Sequence, residues 1–259
     1  MTRSFALCFF LGLIVAATVD SARAQGGVGS IKTVHFDIQY QAGVSDDEAR
    51  RVADYLESDY EYLSKKLGMD FGKTPEVRLY DSGSKYIAET RQTRSSRGAT
   101  FQRGILHLQP VKMLEERKEL EQTLSFELAS ALLENAALKG CPRWLRESFA
   151  VYHSGEMSDL SPPIGVKLQY FSDLDQDIQQ YPDPPKRDDV HYVLGTTMRF
   201  FVEQFEAEKA FSVFKAFDGT TSLEDVFKNI FGQEFPEIER AWAKYILSAS
   251  ESFKKKKDG

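Results

Sequence analysis

The stretch LSFELASALL, residues 124–133, decides how the fold is interpreted. Leucines recur at intervals of four from Leu120 to Leu132, a row that is typical of one apolar face of an α-helix. After a short link that ends at Pro142, the segment RWLRESFAVYHSG, residues 143–155, has a helical pattern as well. We expect these two segments to form helices that face each other.

The amino-terminal half combines strands with one long helix. Residues 34–40, VHFDIQY, alternate apolar and polar side chains, the period-two pattern of a half-buried strand. Ser45 and Glu48 have the spacing of a capping box, and apolar residues then recur at helical intervals as far as Gly68. The sequence therefore predicts a helix over residues 45–67.

Further strand signals follow before the chain becomes helical. Residues 76–82, EVRLYDS, are predicted to contain a strand, and residues 98–104 and 105–110 are interpreted as a hairpin about Arg103 and Gly104. These patterns predict an α+β fold, with a small mixed or antiparallel sheet in the amino-terminal half.

The remaining chain divides by composition. Residues 34–155 are interpreted as one α+β subdomain, and residues 156–188, rich in Pro, Asp and Ser, as an irregular loop. Residues 189–250 carry several helical segments whose aromatic stripes indicate a core, so an all-helical carboxyl-terminal subdomain is expected. Residues 251–259 are predicted to be a basic, disordered tail.

The first 24 residues have the features of a secretory signal peptide. Arg3 precedes an apolar run that continues to Val19, and small residues stand at Ala22 and Ala24. Cleavage after Ala24 would leave a secreted or periplasmic protein that begins with a flexible leader over residues 25–33.

The charge of the mature chain excludes one class of partner. Removal of the signal, which holds Arg3, Arg23 and Asp20, leaves 31 basic and 38 acidic residues, a net charge of −7. This balance argues against binding to nucleic acid. No later apolar run is long enough to span a bilayer, so no membrane span is expected in the mature chain.

Residues 126–130 have the spacing of a zinc hydrolase motif. Residues four apart lie on one face of a helix, so two histidines at that spacing can hold one zinc ion. A glutamate beside the first histidine then serves as general base, and a third ligand comes from another element. Here Glu127 stands at the glutamate position, but Phe126 and Ser130 replace the histidines.

Together, SFELAS and CPRWLRESFAVYHSG resemble the peptidase MA-like family, the gluzincin-type zinc metallopeptidases. In that family a His-Glu-x-x-His helix is followed by a segment of the form Pro-x-Trp-Leu-x-Glu-Gly-x-Ala-x-Tyr. The order of predicted elements follows the family through almost all of the mature chain, so residues 34–155 correspond to a zincin-like subdomain. The resemblance implies that Glu127 is at the general-base position and Glu147 at the third-ligand position, while Ser148 replaces the usual glycine.

The replacements predict that the catalytic centre is vestigial. A phenyl ring has no lone pair for a metal, and a neutral serine hydroxyl is a poor zinc ligand, so no cofactor is expected. The ring of Phe126 is also expected to fill the space of an ion and its water, which would convert the cavity into core.

We therefore expect a catalytically inactive pseudopeptidase that binds a peptide or protein partner. The candidate residues for its cleft are Trp144, Tyr152, His153 and Tyr192.

Two alternatives remain at this stage. One is an active zinc metallopeptidase with an unusual ligand set, in which Glu127 and Glu147 are joined by His107, His153 or His191. The other is a structural envelope protein without a functional cleft.

Overall fold

The structure, a computed structural model, describes residues 29–92, 98–136, 138–163, 170–180 and 186–257. The predicted secretory signal, residues 1–24, lies outside these ranges. The described chain has the predicted α+β fold, with a mixed sheet in the amino-terminal half and an all-helical carboxyl-terminal part. None of the described helices is long and apolar enough to cross a membrane.

Five short strands form one mixed sheet in the order β1-β2-β3-β5-β4. Strand β2 pairs with β3 and β3 with β5 in parallel, whereas the two outer pairs are antiparallel. Strand β4 is therefore an edge strand. The strands are β1 (Gly29–Lys32), β2 (Asp37–Tyr40), β3 (Glu76–Leu79), β4 (Ala99–Gln102) and β5 (Ile105–Leu108).

The prediction of a flexible leader over residues 25–33 is wrong for its second half, which contains the first strand. Strand β1 lies inside residues 25–33, and the chain turns before β2, with the Thr33 N–H donating to the Phe36 carbonyl at 2.9 Å. Gly29 is opposite Tyr40, and without a Cβ it leaves room for the tyrosine ring. Ile31 is the one buried residue of β1, so no apolar alternation marks this strand in the sequence.

The long amino-terminal helix is confirmed. Helix α1 (Asp46–Leu67) has a complete capping box, because the Ser45 side chain accepts from the Glu48 N–H and Glu48 accepts from the Ser45 N–H. Gly68 ends the helix with φ = 62°, a left-handed conformation that glycine adopts without steric cost.

The hairpin between β4 and β5 is also confirmed. Arg103 and Gly104 have φ values of 54° and 81°, so both central residues are left-handed, as the tight hairpin turn of type I′ requires. This turn fixes the register in which Thr100 lies opposite His107.

Helices α4 and α5 form the centre of the molecule. Helix α4 packs against α1, β4 and α5, and α5 packs in turn against α7. The remaining helices in the described chain are α2 (Gly83–Thr90), α3 (Val111–Glu116), α4 (Leu120–Asn135), α5 (Arg143–Ser154), α6 (Phe171–Gln180), α7 (Lys186–Phe205), α8 (Ala207–Ser212), α9 (Leu223–Phe231) and α10 (Phe235–Lys257).

Two predictions about the carboxyl-terminal half are wrong. Residues 156–188 are not all irregular, because a 3-10 turn (Glu156–Asp159), α6 and the start of α7 lie there. Helix α6 forms because Phe171, Leu174 and Ile178 make one buried face. Residues 251–257 continue α10 rather than forming a disordered tail, in keeping with the good helix propensity of lysine and its favourable charge at a helix carboxyl terminus.

Aromatic side chains fill the carboxyl-terminal core, as their helical spacing predicts. Phe171 stacks on Trp144 with 4.4 Å between ring centroids and packs against Trp242 at 4.5 Å. The buried indole N–H of Trp242 donates to Thr197 Oγ1 at 2.9 Å, so this indole is paired inside the core.

Glu57 connects the turn between β1 and β2 to helix α1. Its carboxylate accepts from Thr33 Oγ1 and from the His35 N–H, and it lies 2.6 Å from His35 Nδ1. Burial alone would raise the pKa of Glu57, but these hydrogen bonds outweigh it and lower the pKa from its ordinary value of 4.5.

We predict that Glu57→Gln destabilises the protein by about 1 kcal/mol at pH 7, because hydrogen bonds to a carboxylate are lost. The pKa of Glu57 is lower in the folded protein than in the unfolded chain. The charged carboxylate therefore stabilises the fold at pH values above the pKa of Glu57 in the unfolded chain, and this stabilisation is lost as the pH falls through its pKa in the folded protein. Urea unfolding at pH 7 and at strongly acidic pH measures the difference. Exposed Glu61 on the same helix offers the control Glu61→Gln, and an equal loss in both variants would contradict the assignment.

Candidate functional site

A pocket of about 350 Å³ lies between the edge strand β4 and helices α4, α5 and α7. We call it the α4–α5 pocket. Its lining combines backbone and side chains of β4 with polar, charged and aromatic side chains of the helices. The lining residues are Gln92, Ala99, Thr100, Phe101, Phe126, Glu127, Ser130, Glu134, Arg143, Glu147, Ile178, Arg187, Val190 and His191.

The pocket brings together the positions of the degenerate zinc motif. Phe126, Glu127 and Ser130 reach it from α4, because these positions are on one side of the helix. Glu147 reaches the same pocket from α5. The two segments therefore face each other, as the sequence predicts.

The expectation for Phe126 is confirmed in part: its ring is buried in the hydrophobic core, but it does not fill the cavity, because a pocket remains beside it. The Phe126 ring is 6% exposed and stacks on His191, with 5.9 Å between ring centroids and 17° between planes. Because the two rings lie against each other at one side of the pocket, they leave its volume open.

Glu127 is buried and tied to the edge strand. Its Oε2 accepts from the Phe101 N–H at 3.2 Å. The Gln109 N–H donates to the Gly98 carbonyl, so these two opposite residues form a hydrogen-bonded pair of the β4–β5 ladder. In an antiparallel ladder every second residue bonds to the partner strand, so the backbone of Thr100 faces β5 and the N–H of Phe101 points away from the sheet. The carboxylate at the general-base position thus satisfies a backbone donor of the edge strand.

Glu147 is paired with a neighbour on its own helix. Its Oε1 accepts from Arg143 Nε at 3.1 Å, an i, i+4 ion pair in which the Arg143 side chain is half exposed. Ser148, at the position where the resemblance implies a glycine, is fully buried, and its Oγ has no hydrogen-bond partner within the described residues. An unpaired buried hydroxyl is a local cost to stability.

Of the three histidines that could complete a ligand set, only His191 lines the α4–α5 pocket. Its Nδ1 lies 3.1 Å from Glu156 Oε1. His107 lies on β5 beside the Tyr80 hydroxyl at 2.8 Å, and burial lowers its pKa. His153 is 2.8 Å from Asp59 Oδ1, on a different face of α5.

The residues of the pocket do not fit a zinc site. In the described ranges, no three His, Cys, Asp or Glu side chains are close enough together to hold a metal ion. Glu127, Glu147 and His191 share the pocket, but each is oriented toward a different polar partner.

The four cleft candidates have different places in the structure. Trp144 is 1% exposed and belongs to the aromatic core, so its assignment to a cleft is wrong; its position on α5 faces α6 and α7. Tyr152 and His153 line a second pocket on another face of α5. Tyr192 is half-buried and lines neither of these two pockets.

Several lining residues were missed by sequence reasoning. The edge strand contributes Thr100 and Phe101 to the lining. The sequence did predict the hairpin that contains them, and an outer strand beside the motif helix is open to a ligand, so these two residues could have been proposed. Arg143 and Arg187 also line the pocket, but Arg187 lies in a segment that was interpreted as loop, and no local pattern marks it.

Cys141 is not a nucleophile. The thiol is buried at the entrance of α5, and burial raises its pKa to about 12. At neutral pH it remains protonated and behaves as a small apolar side chain.

In comparisons with known proteins, no family model matched this chain, and no curated protein matched it. The resemblance to the peptidase MA-like family therefore rests on the motif spacing and the order of elements, and it stays a prediction. What can be derived about function comes from the geometry of the α4–α5 pocket.

We predict that the double change Phe126→His and Ser130→His creates a zinc site with Glu147, because all three positions line one pocket. Two imidazoles and one carboxylate are the donor set of a hydrolytic zinc centre, so zinc affinity on the order of 1 µM is expected by isothermal titration.

Adding Glu147→Gln to the double variant provides the control. This change keeps the shape of the side chain and removes its charge, so zinc binding should weaken at least about tenfold. A double variant that binds no more zinc than the native chain would mean that the three positions do not converge.

Proposed function

We propose that this protein is an exported, catalytically inactive relative of the peptidase MA-like family that binds an extended peptide segment of a protein partner. The segment would lie along the outer side of β4 and place side chains in the α4–α5 pocket. One observation carries the proposal: β4 is an edge strand of the sheet that the described residues form, and it is a wall of the same pocket that contains Phe126, Glu127 and Ser130.

The edge strand supports recognition of an extended chain. Backbone groups on the outer side of an edge strand can pair with a peptide that adds to the sheet, and the neighbouring pocket then selects its side chains. The alternation of β4 directs the backbone of Ala99 and Phe101 toward that outer side. Since Glu127 takes the Phe101 N–H, the peptide would pair with the remaining outward groups.

The chemistry of the pocket supports side-chain recognition. Its lining offers both hydrogen-bond donors and acceptors, including Thr100, Ser130 and Glu134, beside the apolar surface of Phe126. A volume of about 350 Å³ is within the range of ligand sites and can hold one or two side chains.

The same geometry supports the absence of hydrolysis. A general base must reach a metal-bound water, but Glu127 holds a backbone N–H, and Glu147 is engaged with Arg143. With phenylalanine and serine at the histidine positions, no water would be activated at this site.

Ser130→Trp tests the proposal because Ser130 lines the pocket from a half-buried position, where an indole would occupy the volume. The probe is a pool of random fluorescent dodecapeptides, whose best binders are measured by anisotropy. We predict that Ser130→Trp weakens their affinity at least about tenfold. Glu121→Trp, at an exposed site on the same helix that is outside the pocket lining, should leave the affinity unchanged.

Two outcomes would contradict the proposal. If no peptide of the pool binds, or if both tryptophan variants bind peptides equally well, the α4–α5 pocket is not the binding site. If the native chain cleaves the peptides and a chelator stops the cleavage, the protein is an active metallopeptidase with Glu127 and Glu147 in its ligand set.

A further inference from the structure

A second pocket, of about 360 Å³, lies on another face of α5. We call it the Tyr62 pocket, after the exposed tyrosine of α1 at its entrance. Its walls come from α1, the end of α5, the 3-10 turn Glu156–Asp159, α7 and α8. The positions of α5 that line it, Phe149, Tyr152 and His153, are on the side of the helix away from Glu147.

Aromatic side chains are half of the described residues that line the Tyr62 pocket. Tyr62 stacks on His153 with 5.7 Å between centroids and 17° between planes, and His153 stacks on Phe149 at 5.9 Å and 3°. Phe211 meets Phe149 edge to face at 5.3 Å. Tyr62 is 50% exposed, so part of this aromatic surface is open to solvent.

The charged groups that line the pocket are cationic. Lys66 and Arg199 are both exposed and line it, and neither forms an ion pair in the part of the chain that the structure describes. Lys66 Nζ lies 4.7 Å from the ring centroids of Tyr62 and Phe211 and donates to the Tyr62 hydroxyl.

No carboxylate is among the described lining residues. The nearby Asp59 does not line the pocket; it is mostly buried, and its Oδ1 lies 2.8 Å from His153 Nε2. An anion in the pocket would therefore meet two cations without a competing carboxylate on the wall.

We propose that the Tyr62 pocket binds a small aromatic carboxylate. The planar body would stack against the half-exposed ring of Tyr62, as offset aromatic pairs do, and the carboxylate would accept hydrogen bonds from Lys66 and Arg199. The volume of the pocket suits a ligand with one or two fused rings.

Indole-3-acetate is the probe, and neutral indole-3-acetamide, which has nearly the same shape, is its matched control. Isothermal titration of the full chain measures both. The acid is expected to bind about tenfold more tightly than the amide, because only the acid makes charge-assisted hydrogen bonds. Equal affinity of acid and amide, or no saturable binding of the acid at millimolar concentration, would overturn the proposal.

Charge reversal locates the site. Lys66→Glu and Arg199→Glu should each weaken binding of indole-3-acetate about tenfold or more. Lys65→Glu makes the same charge change at the next, exposed position of α1, outside the pocket lining, and should leave the affinity within about twofold. A loss with Lys65→Glu as large as that with Lys66→Glu would refute the site.

Two additional variants test whether a loss of binding comes from unfolding or from binding in the α4–α5 pocket. Lys66→Gln keeps a polar side chain of similar length, so it gives a folded test of the lost charge if Lys66→Glu lowers the melting temperature. Ser130→Trp fills the α4–α5 pocket and should not change binding of indole-3-acetate, whereas a loss in this variant would place the acid in the α4–α5 pocket and overturn the proposal.

Discussion

The burial of helix α4 is the constraint on which the rest of the structure depends. Ten of its sixteen residues are buried, because it packs against α1, the edge strand and α5. A polar side chain on such a buried helix needs a hydrogen-bond partner in the surrounding protein, because burying it without one costs a few kcal/mol. Glu127 meets this requirement at the Phe101 N–H and thereby fixes β4 beside the helix.

This arrangement explains how a cavity persists without histidines at the motif positions. Phe126 does not enter the pocket as a plug, because its ring stacks on His191, which is held near Glu156. The pair forms one wall, while Ser130 and Glu147 stand at others. The side chains at positions 126 and 130 therefore leave the cavity in place.

The sequence predicted the elements whose signals are local. Helix α1 has its capping box and its terminal Gly68, and the β4–β5 hairpin has the two left-handed residues at its turn. Strand β1 was missed because only one of its residues is buried, and helix α6 because its buried face packs on residues that are distant in the sequence. Ile31 is paired with Ile38, and Phe171 packs on Trp144.

The candidate site was predictable only in part, for the same reason. The resemblance to the peptidase MA-like family implied that Glu127 and Glu147 lie at one location, and both line the α4–α5 pocket. The state of the cavity was not predictable, because it depends on His191 from α7 and on the edge strand, and both are joined to the motif only by tertiary packing.

Helix α5 is held in place by the packing of its buried side chains. Here Trp144 anchors the helix in the core, where its stack on Phe171 adds about 1 kcal/mol beyond the area it buries. Because the helix has 3.6 residues per turn, fixing Trp144 inward directs Glu147 to one pocket and Tyr152 and His153 to the other. The buried face of α5, which includes Trp144, thus determines which of its residues line each pocket.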